Sequence, residues 1–166
     1  CILDEQIFDH YVYQKEHLLL AVPKSCSVNT RLQEYQIPIE TIHDGSFLSP
    51  EVLSVPLNSF ANEPFIILRS DNDTGKRALT ICQENNFTPH TIFRLDQQMT
   101  AYNIACSGMG ITFIGDLLLA SAPATSELIF YKLPGKNCNR NVSFYWKKGR
   151  YISRAMEEFL KIALPQ

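Results

Sequence analysis

Apolar residues fall in two kinds of pattern along this chain. His17–Val22 is an almost wholly apolar run closed by Pro23, and Phe65-Ile66-Ile67-Leu68 is an unbroken apolar run after Pro64. Short apolar runs without alternation suit strands buried on both faces, as in parallel sheets. Other stretches carry helical spacing. Ala78, Leu79, Ile81 and Cys82 repeat at a helical period behind the caps in Asp71-Asn72-Asp73-Thr74, and the pattern dies at Asn85-Asn86. Thr91–Leu95 predicts the next strand, and Asp96 is expected to cap a helix running to about Cys106, which Ser107-Gly108-Met109-Gly110 breaks.

The rest of the chain continues in the same alternating way. Ile111–Ile114 predicts a short strand, Asp116–Ser121 a short helix, and Glu127–Leu133 and Asn141–Trp146 further strands. Ile152, Ala155, Met156, Phe159, Leu160 and Ile162 mark an amphipathic C-terminal helix. Lys24 to Ser54 is polar, is interrupted by Pro38, Asp44-Gly45 and Pro50, and predicts loop with short elements. Strand–helix alternation with short connections predicts an α/β layer structure containing parallel strands.

Composition narrows the function classes. The chain has 166 residues, 45% hydrophobic and 19% charged, enough to bury a core in one domain or two small lobes. Fifteen Lys and Arg stand against seventeen Asp and Glu, a net charge of −2, with no basic run long enough to track a phosphate backbone. That argues against direct nucleic-acid binding by this segment. The apolar runs Leu18–Val22 and Leu117–Ala122 are far too short to span a bilayer, and no secretory signal pattern opens the chain. Cys1 stands where an initiator Met would be, so the chain reads as a fragment or a processed product. Cys1, Cys26, Cys82, Cys106 and Cys138 are odd in number and widely spaced, which reads as free thiols in a reducing cytoplasm.

Motifs that would carry chemistry fail on inspection. Gly75-Lys76-Arg77 invites a phosphate-loop reading, but Ser70 stands where the motif needs glycine and Arg77 where it needs Ser or Thr. Gly108-Met109-Gly110 has Phe113 in place of the third glycine of a dinucleotide fingerprint, and these glycines precede a strand. His10, His17, His43 and His90 lack metal-ligand spacing. Cys106 at a helix C-terminus is a poor nucleophile, because the dipole there disfavours the thiolate. Three matches to the N-glycosylation triplet, beginning at Asn72, Asn86 and Asn141, arise readily by chance. The positive feature is geometric. Helix starts near Ser70–Asp73 and Asp96–Gln98 both follow strands, where free amides and positive dipole ends favour small anionic or polar ligands. Those residues also read simply as helix caps.

The order of segments resembles the effector-binding domain of LysR-type transcription regulators over nearly the whole chain. Glu16-His17-Leu18-Leu19-Leu20-Ala21-Val22-Pro23 is similar to the strand leading from that domain's first lobe into its second. Val55-Pro56-Leu57, Phe60 and Glu63-Pro64-Phe65-Ile66-Ile67-Leu68 resemble the opening of the second lobe. Ala105-Cys106-Ser107-Gly108-Met109-Gly110-Ile111-Thr112-Phe113-Ile114 resembles the family's signature of a helix ending in small residues, Gly-x-Gly-Ile and an apolar strand. Arg140–Lys147 and Tyr151–Phe159 resemble the return strand and terminal helix, and Gly115 departs from the proline usual in the family.

This resemblance implies an α/β fold like the type II periplasmic binding proteins, with a complete second lobe and an incomplete first one. Residues 1–23 would be a remnant of the first lobe with the crossover strand, 24–140 the second lobe, and 141–166 the return strand and helix of the first. The implied function is effector sensing by a bacterial, cytoplasmic regulator, with no enzymatic activity, no cofactor and no membrane partner. A small organic anionic or polar molecule would bind between the lobes and modulate a DNA-bound dimer or tetramer, with DNA met only through a winged helix-turn-helix absent here. The ligand-facing positions carried over are Ser70 and Asp71 after one strand, and Asp96, Gln97 and Gln98 after the next. Asp96 would repel an anion unless it caps its helix or pairs with a cation such as Arg94. The alternative is an extracytoplasmic solute-binding protein of the same fold, for which Cys1 would suit a lipidated terminus.

Overall fold

The structure, a computed structural model, describes residues 3–163. In chain order its elements are β1 (Phe8–Pro23), β2 (Gln36–Ile37), α1 (Ile39–His43), β3 (Pro64–Leu68), α2 (Asp73–Glu84), β4 (His90–Leu95), α3 (Gln98–Cys106), β5 (Ile111–Gly115), α4 (Asp116–Leu119), β6 (Leu128–Lys132), β7 (Asn139–Lys147) and α5 (Arg154–Ala163). Short 3₁₀ turns occupy Ser27–Arg31, Gln33–Tyr35, Ser46–Leu48 and Leu57–Phe60. The chain divides into two compact units, one formed by residues 17–138 and the other by 1–16 with 139–166. The chain leaves one for the other between Glu16 and His17, inside β1, and returns between Cys138 and Asn139.

The larger unit, residues 17–138, is a mixed sheet in the order β2-β6-β1-β5-β3-β4. β3 runs parallel to both β4 and β5, as its continuous apolar run predicts, while β1 is antiparallel to β5 and β6. Successive residues of each buried strand feed opposite cores. Leu18, Leu20, Val22, Phe65, Ile67, Ile111 and Phe113 enter one core with Ala78, Ile81 and Cys82 of α2. Leu19, Ala21, Ile66, Leu68 and Ile114 enter the other with Ala101, Tyr102 and Ala105 of α3. Polar groups inside are satisfied: Thr112 Oγ1 donates to the Ile66 carbonyl at 3.0 Å, and the Tyr131 hydroxyl donates to Asn29 Oδ1 at 2.8 Å.

Two glycines set the approach of helices to this sheet. A Cβ on Gly75 would lie 2.3 Å from the Arg69 carbonyl oxygen and 2.4 Å from that of Leu68, so glycine lets the first turn of α2 press against the end of β3. Gly108 has φ of 83°, the left-handed conformation that stops α3 before β5 begins. At the end of α2, Asn86 takes the same role at φ of 62°, and Phe87 N–H bonds back to the Cys82 carbonyl.

The smaller unit pairs the first half of β1 with β7 and adds α5. The pairing is antiparallel, since Lys148 N–H reaches the Ile7 carbonyl while Arg140 Nε meets Glu16 Oε2 at 2.5 Å. His10 stacks on Tyr145, and Phe144 contacts both Tyr13 and Phe159. β1 therefore begins nine residues earlier than the apolar run at His17 suggests. Phe8–Glu16 lacks a hydrophobic signature because both of its faces are largely solvated.

Candidate functional site

Parallel pairing of β3 with β4 brings their ends together, with Leu68 opposite Leu95. Arg69 N–H bonds to the Leu95 carbonyl at 2.9 Å, extending the ladder by one residue. The two following loops are then tied by Asn72, whose Nδ2 donates to the Asp96 carbonyl at 3.4 Å and whose Oδ1 caps α2 at Thr74 N–H, 2.9 Å.

Charged side chains collect on this edge. Arg94 lies opposite Ile67 in the register, so it shares the face of the sheet that packs on α2. Two residues beyond Ile67, Arg69 follows the same period. Its Nε stands 3.5 Å from Asp96 Oδ1 and 3.7 Å from Asp71 Oδ1, with the three side chains 58%, 78% and 73% exposed. At that exposure such pairs add little stability, which leaves their charges available to another partner. Arg69, Ser70, Asp71, Leu79 and Arg94 line an open cavity of about 670 Å³, within the range of small-molecule sites.

The five residues singled out by sequence separate into groups. Ser70 and Asp71 line the cavity, and Asp96 joins them through Arg69. Asp96 was expected to cap α3, but the N-cap position falls on Gln97, whose side chain makes no capping bond. The Asp96 carboxylate faces Arg69 instead of Arg94. Gln98 has a bridging position: Nε2 donates to Thr74 Oγ1 at 2.9 Å, and Oε1 accepts from Gly115 N–H at 3.2 Å. It thereby ties the first turn of α2 to the end of β5. Arg69 was not singled out, although its place directly after an apolar strand and before Ser70 was a usable signal.

Elsewhere, burial shifts the pKa of four side chains upward. Burial pushes the Cys82 thiol and the Tyr102 and Tyr131 hydroxyls up to about 12. Burial also raises the Cys26 thiol, with Glu63 adding to the effect. Cys26 and Glu63 line a smaller cavity of about 310 Å³ beside the first residues of β3 and β5. Among the described residues no cluster of His, Cys, Asp and Glu is placed to hold a metal, and no helix is long and apolar enough to cross a membrane. Cys1, a possible lipidation point in the solute-binding alternative, lies outside the described residues.

Comparison with known proteins adds an independent line. The model of the LysR substrate binding domain family matches residues 47–166. The uncharacterized HTH-type transcriptional regulator YcgK of Bacillus subtilis (strain 168) is 26% identical over 110 residues, covering 66% of this chain and 33% of that protein. The chain thus spans about a third of the length of the curated relatives it matches. Among solved structures, the regulatory domain of CcmR from Synechocystis PCC6803, in complex with 2-PG, superposes with a TM-score of 0.73 at 15% identity, covering 98% of this chain and 69% of that one. The effector binding domain of QuiR in complex with shikimate gives 0.67 at 17% identity, covering 99% and 67%. At those identities the superpositions establish the fold, a mixed α/β sheet of the type II periplasmic-binding kind.

Proposed function

Because this chain belongs to the LysR substrate-binding domain family, we propose that it is the effector-sensing part of a bacterial LysR-type transcription regulator. The observation that carries the reading is the open cavity at the paired ends of β3 and β4, lined by Arg69, Ser70, Asp71 and Arg94. Ligands of open α/β sheets collect at the carboxyl ends of parallel strands, where loops and helix starts converge. Ser70, Asp71, Asp96 and Gln97 supply one side of the effector site, and Gln98 fixes the helix starts behind it.

In the whole regulator, residues 24–140 form the second lobe, and residues 1–23 and 141–166 belong to the first. The compact unit His17–Cys138 is close to that second lobe, but it takes in residues 17–23 and leaves out residues 139–140. An effector bound at this site shifts the population of a cytoplasmic dimer or tetramer, which meets DNA through an N-terminal helix-turn-helix. The domain binds and senses and does not catalyse. Likeness to an HTH-type regulator favours this reading over an extracytoplasmic solute-binding protein.

A thermal-shift screen of small organic acids, sugars, nucleosides and amino acids tests the reading. A ligand at a hundred times its dissociation constant adds about 2.7 kcal/mol of stability, seen as a higher melting temperature. Ser70→Ala should weaken that shift directly, and Gln98→Ala should weaken it by loosening α2 from β5. A ligand whose shift survives both substitutions places the effector site elsewhere.

A further inference from the structure

We propose that the cavity at the ends of β3 and β4 selects a zwitterion, a small molecule carrying an ammonium and a carboxylate on the same or neighbouring carbons, of which a free α-amino acid is the simplest case. The inference rests on the effector-sensing reading and names the ligand class of that same site.

The charges at this edge are mixed and balanced. Arg69 and Arg94 are set against Asp71 and Asp96, all close to the chain positions that line or border the cavity. A site built for a dianion concentrates positive charge, whereas here each added negative group would meet Asp71 or Asp96. A neutral polyol would meet the four charges only through its hydroxyl dipoles, without a charge of its own to set against any of them. A molecule with both signs can meet both pairs.

The geometry within the cluster leaves the groups available. Charge-assisted N–H···O contacts close to about 2.7–2.9 Å when they are made. The Arg69 Nε gaps of 3.5 and 3.7 Å are longer, so neither carboxylate is consumed by the guanidinium. Arg94 has no ion-pair partner within 4 Å among the described residues. A ligand carboxylate can therefore take a guanidinium fork in bidentate fashion, while its ammonium, with three donors, reaches Asp71 and Asp96. Opposite charges of the protein stand within 4 Å of one another at Arg69, matching the few ångströms between the charged ends of an α-amino acid. The Ser70 hydroxyl accepts or donates as the pose requires, and Leu79 gives a limited apolar wall suited to a short side chain.

The test is a titration of the purified chain with each small α-amino acid beside its deaminated acid and its decarboxylated amine, for example alanine, propionate and ethylamine. One amino acid should raise the melting temperature and bind at least tenfold more tightly than either partner. Asp71→Asn with Asp96→Asn should erase the advantage over the deaminated acid, and the unliganded melting temperature should hold because both side chains are largely exposed. A deaminated acid that binds as well as the amino acid, or an advantage that survives the double substitution, overturns the zwitterion inference. Binding of an anion or sugar while all amino acids are silent overturns it too, yet leaves the effector-sensing reading standing. Silence of every probe, here and in the wider screen of acids, sugars and nucleosides, overturns both.

Discussion

The two units of this chain hold their shape by different means. In residues 17–138, strands β1, β3 and β5 are buried on both faces, and every buried hydrophobic residue of the described chain lies between Leu18 and Cys138. In the unit of β7, α5 and the first half of β1, the one buried residue among those described is charged, Glu16, and it meets Arg140. Its apolar side chains stay in reach of water: Tyr11 and Phe159 are each 53% exposed and Ile162 is 84% exposed. A two-stranded ribbon with one helix cannot enclose a core, so contacts such as Tyr13–Phe144–Phe159 hold it at its surface. The same strand, β1, belongs to both regimes. Burial follows from what packs on a strand and is not a property of the strand itself.

Substitutions of one residue type in the two units should sharpen that contrast. Phe65, fully buried between Phe87 and Phe113, should cost about 3–5 kcal/mol as Phe65→Ala, measured by urea denaturation. Phe159→Ala forfeits mainly its contact with Phe144, about 0.5–1.5 kcal/mol. Equal losses would mean that Phe159 is as deeply committed to a core as Phe65, and the contrast would collapse.

A methyl group should act with opposite signs on helices of the two units. Gly→Ala inside a helix ordinarily stabilises by about 0.5–1 kcal/mol. Gly75→Ala should instead destabilise by about 1–3 kcal/mol, because the added carbon would sit 2.3 Å from a backbone oxygen at the end of β3. In solvent-exposed α5, Ala155→Gly should lose the ordinary propensity of about 1 kcal/mol. A stabilising Gly75→Ala would show that the first turn of α2 can lift from β3.

Alkali is the mildest of these perturbations, with no effect expected near neutrality. Cys82, Tyr102 and Tyr131 all lie in residues 17–138, and all are pushed up to about 12, from ordinary values of 9.0 for the thiol and 10.0 for the hydroxyls. The unfolded chain sheds these protons first, so the stabilisation is complete below pH 9 and is lost as pH rises towards about 12. Melting temperature against pH should be flat in this respect below 9 and fall above it. Cys82→Ala with Tyr131→Phe should flatten the fall even where it lowers stability outright.

Legibility in the sequence follows the same division. Leu18–Val22, Phe65–Leu68 and Ile111–Ile114 announce themselves because strands covered on both faces cannot afford polar positions. The family resemblance rests on those segments together with Val55-Pro56-Leu57, the glycines before β5 and the return strand and terminal helix, and family membership bears it out. Phe8–Glu16 was illegible as strand, since its pairing with β7 uses backbone groups that every residue carries. At the site, the loops after β3 and β4 were found from strand–helix order alone. Arg69 escaped because its role depends on a register between chain segments, and a one-residue slip would have turned it to the other side. The N-cap of α3 fell one residue beyond Asp96, on Gln97, where the Asp96 carbonyl is tied to Asn72 of the neighbouring loop, a contact between chain segments that local capping preference does not show.

β4 ends the sheet, pairing with β3 alone, and it carries Ile92 and Phe93 in view of solvent. Such a margin invites other chains to add themselves, and a charged side chain is a common deterrent. Arg94, on that strand, places a charge at this margin as well as on the wall of the cavity. A variant made to abolish binding at this position would also be stickier in concentrated solution, so light scattering separates a lost ligand from a lost deterrent.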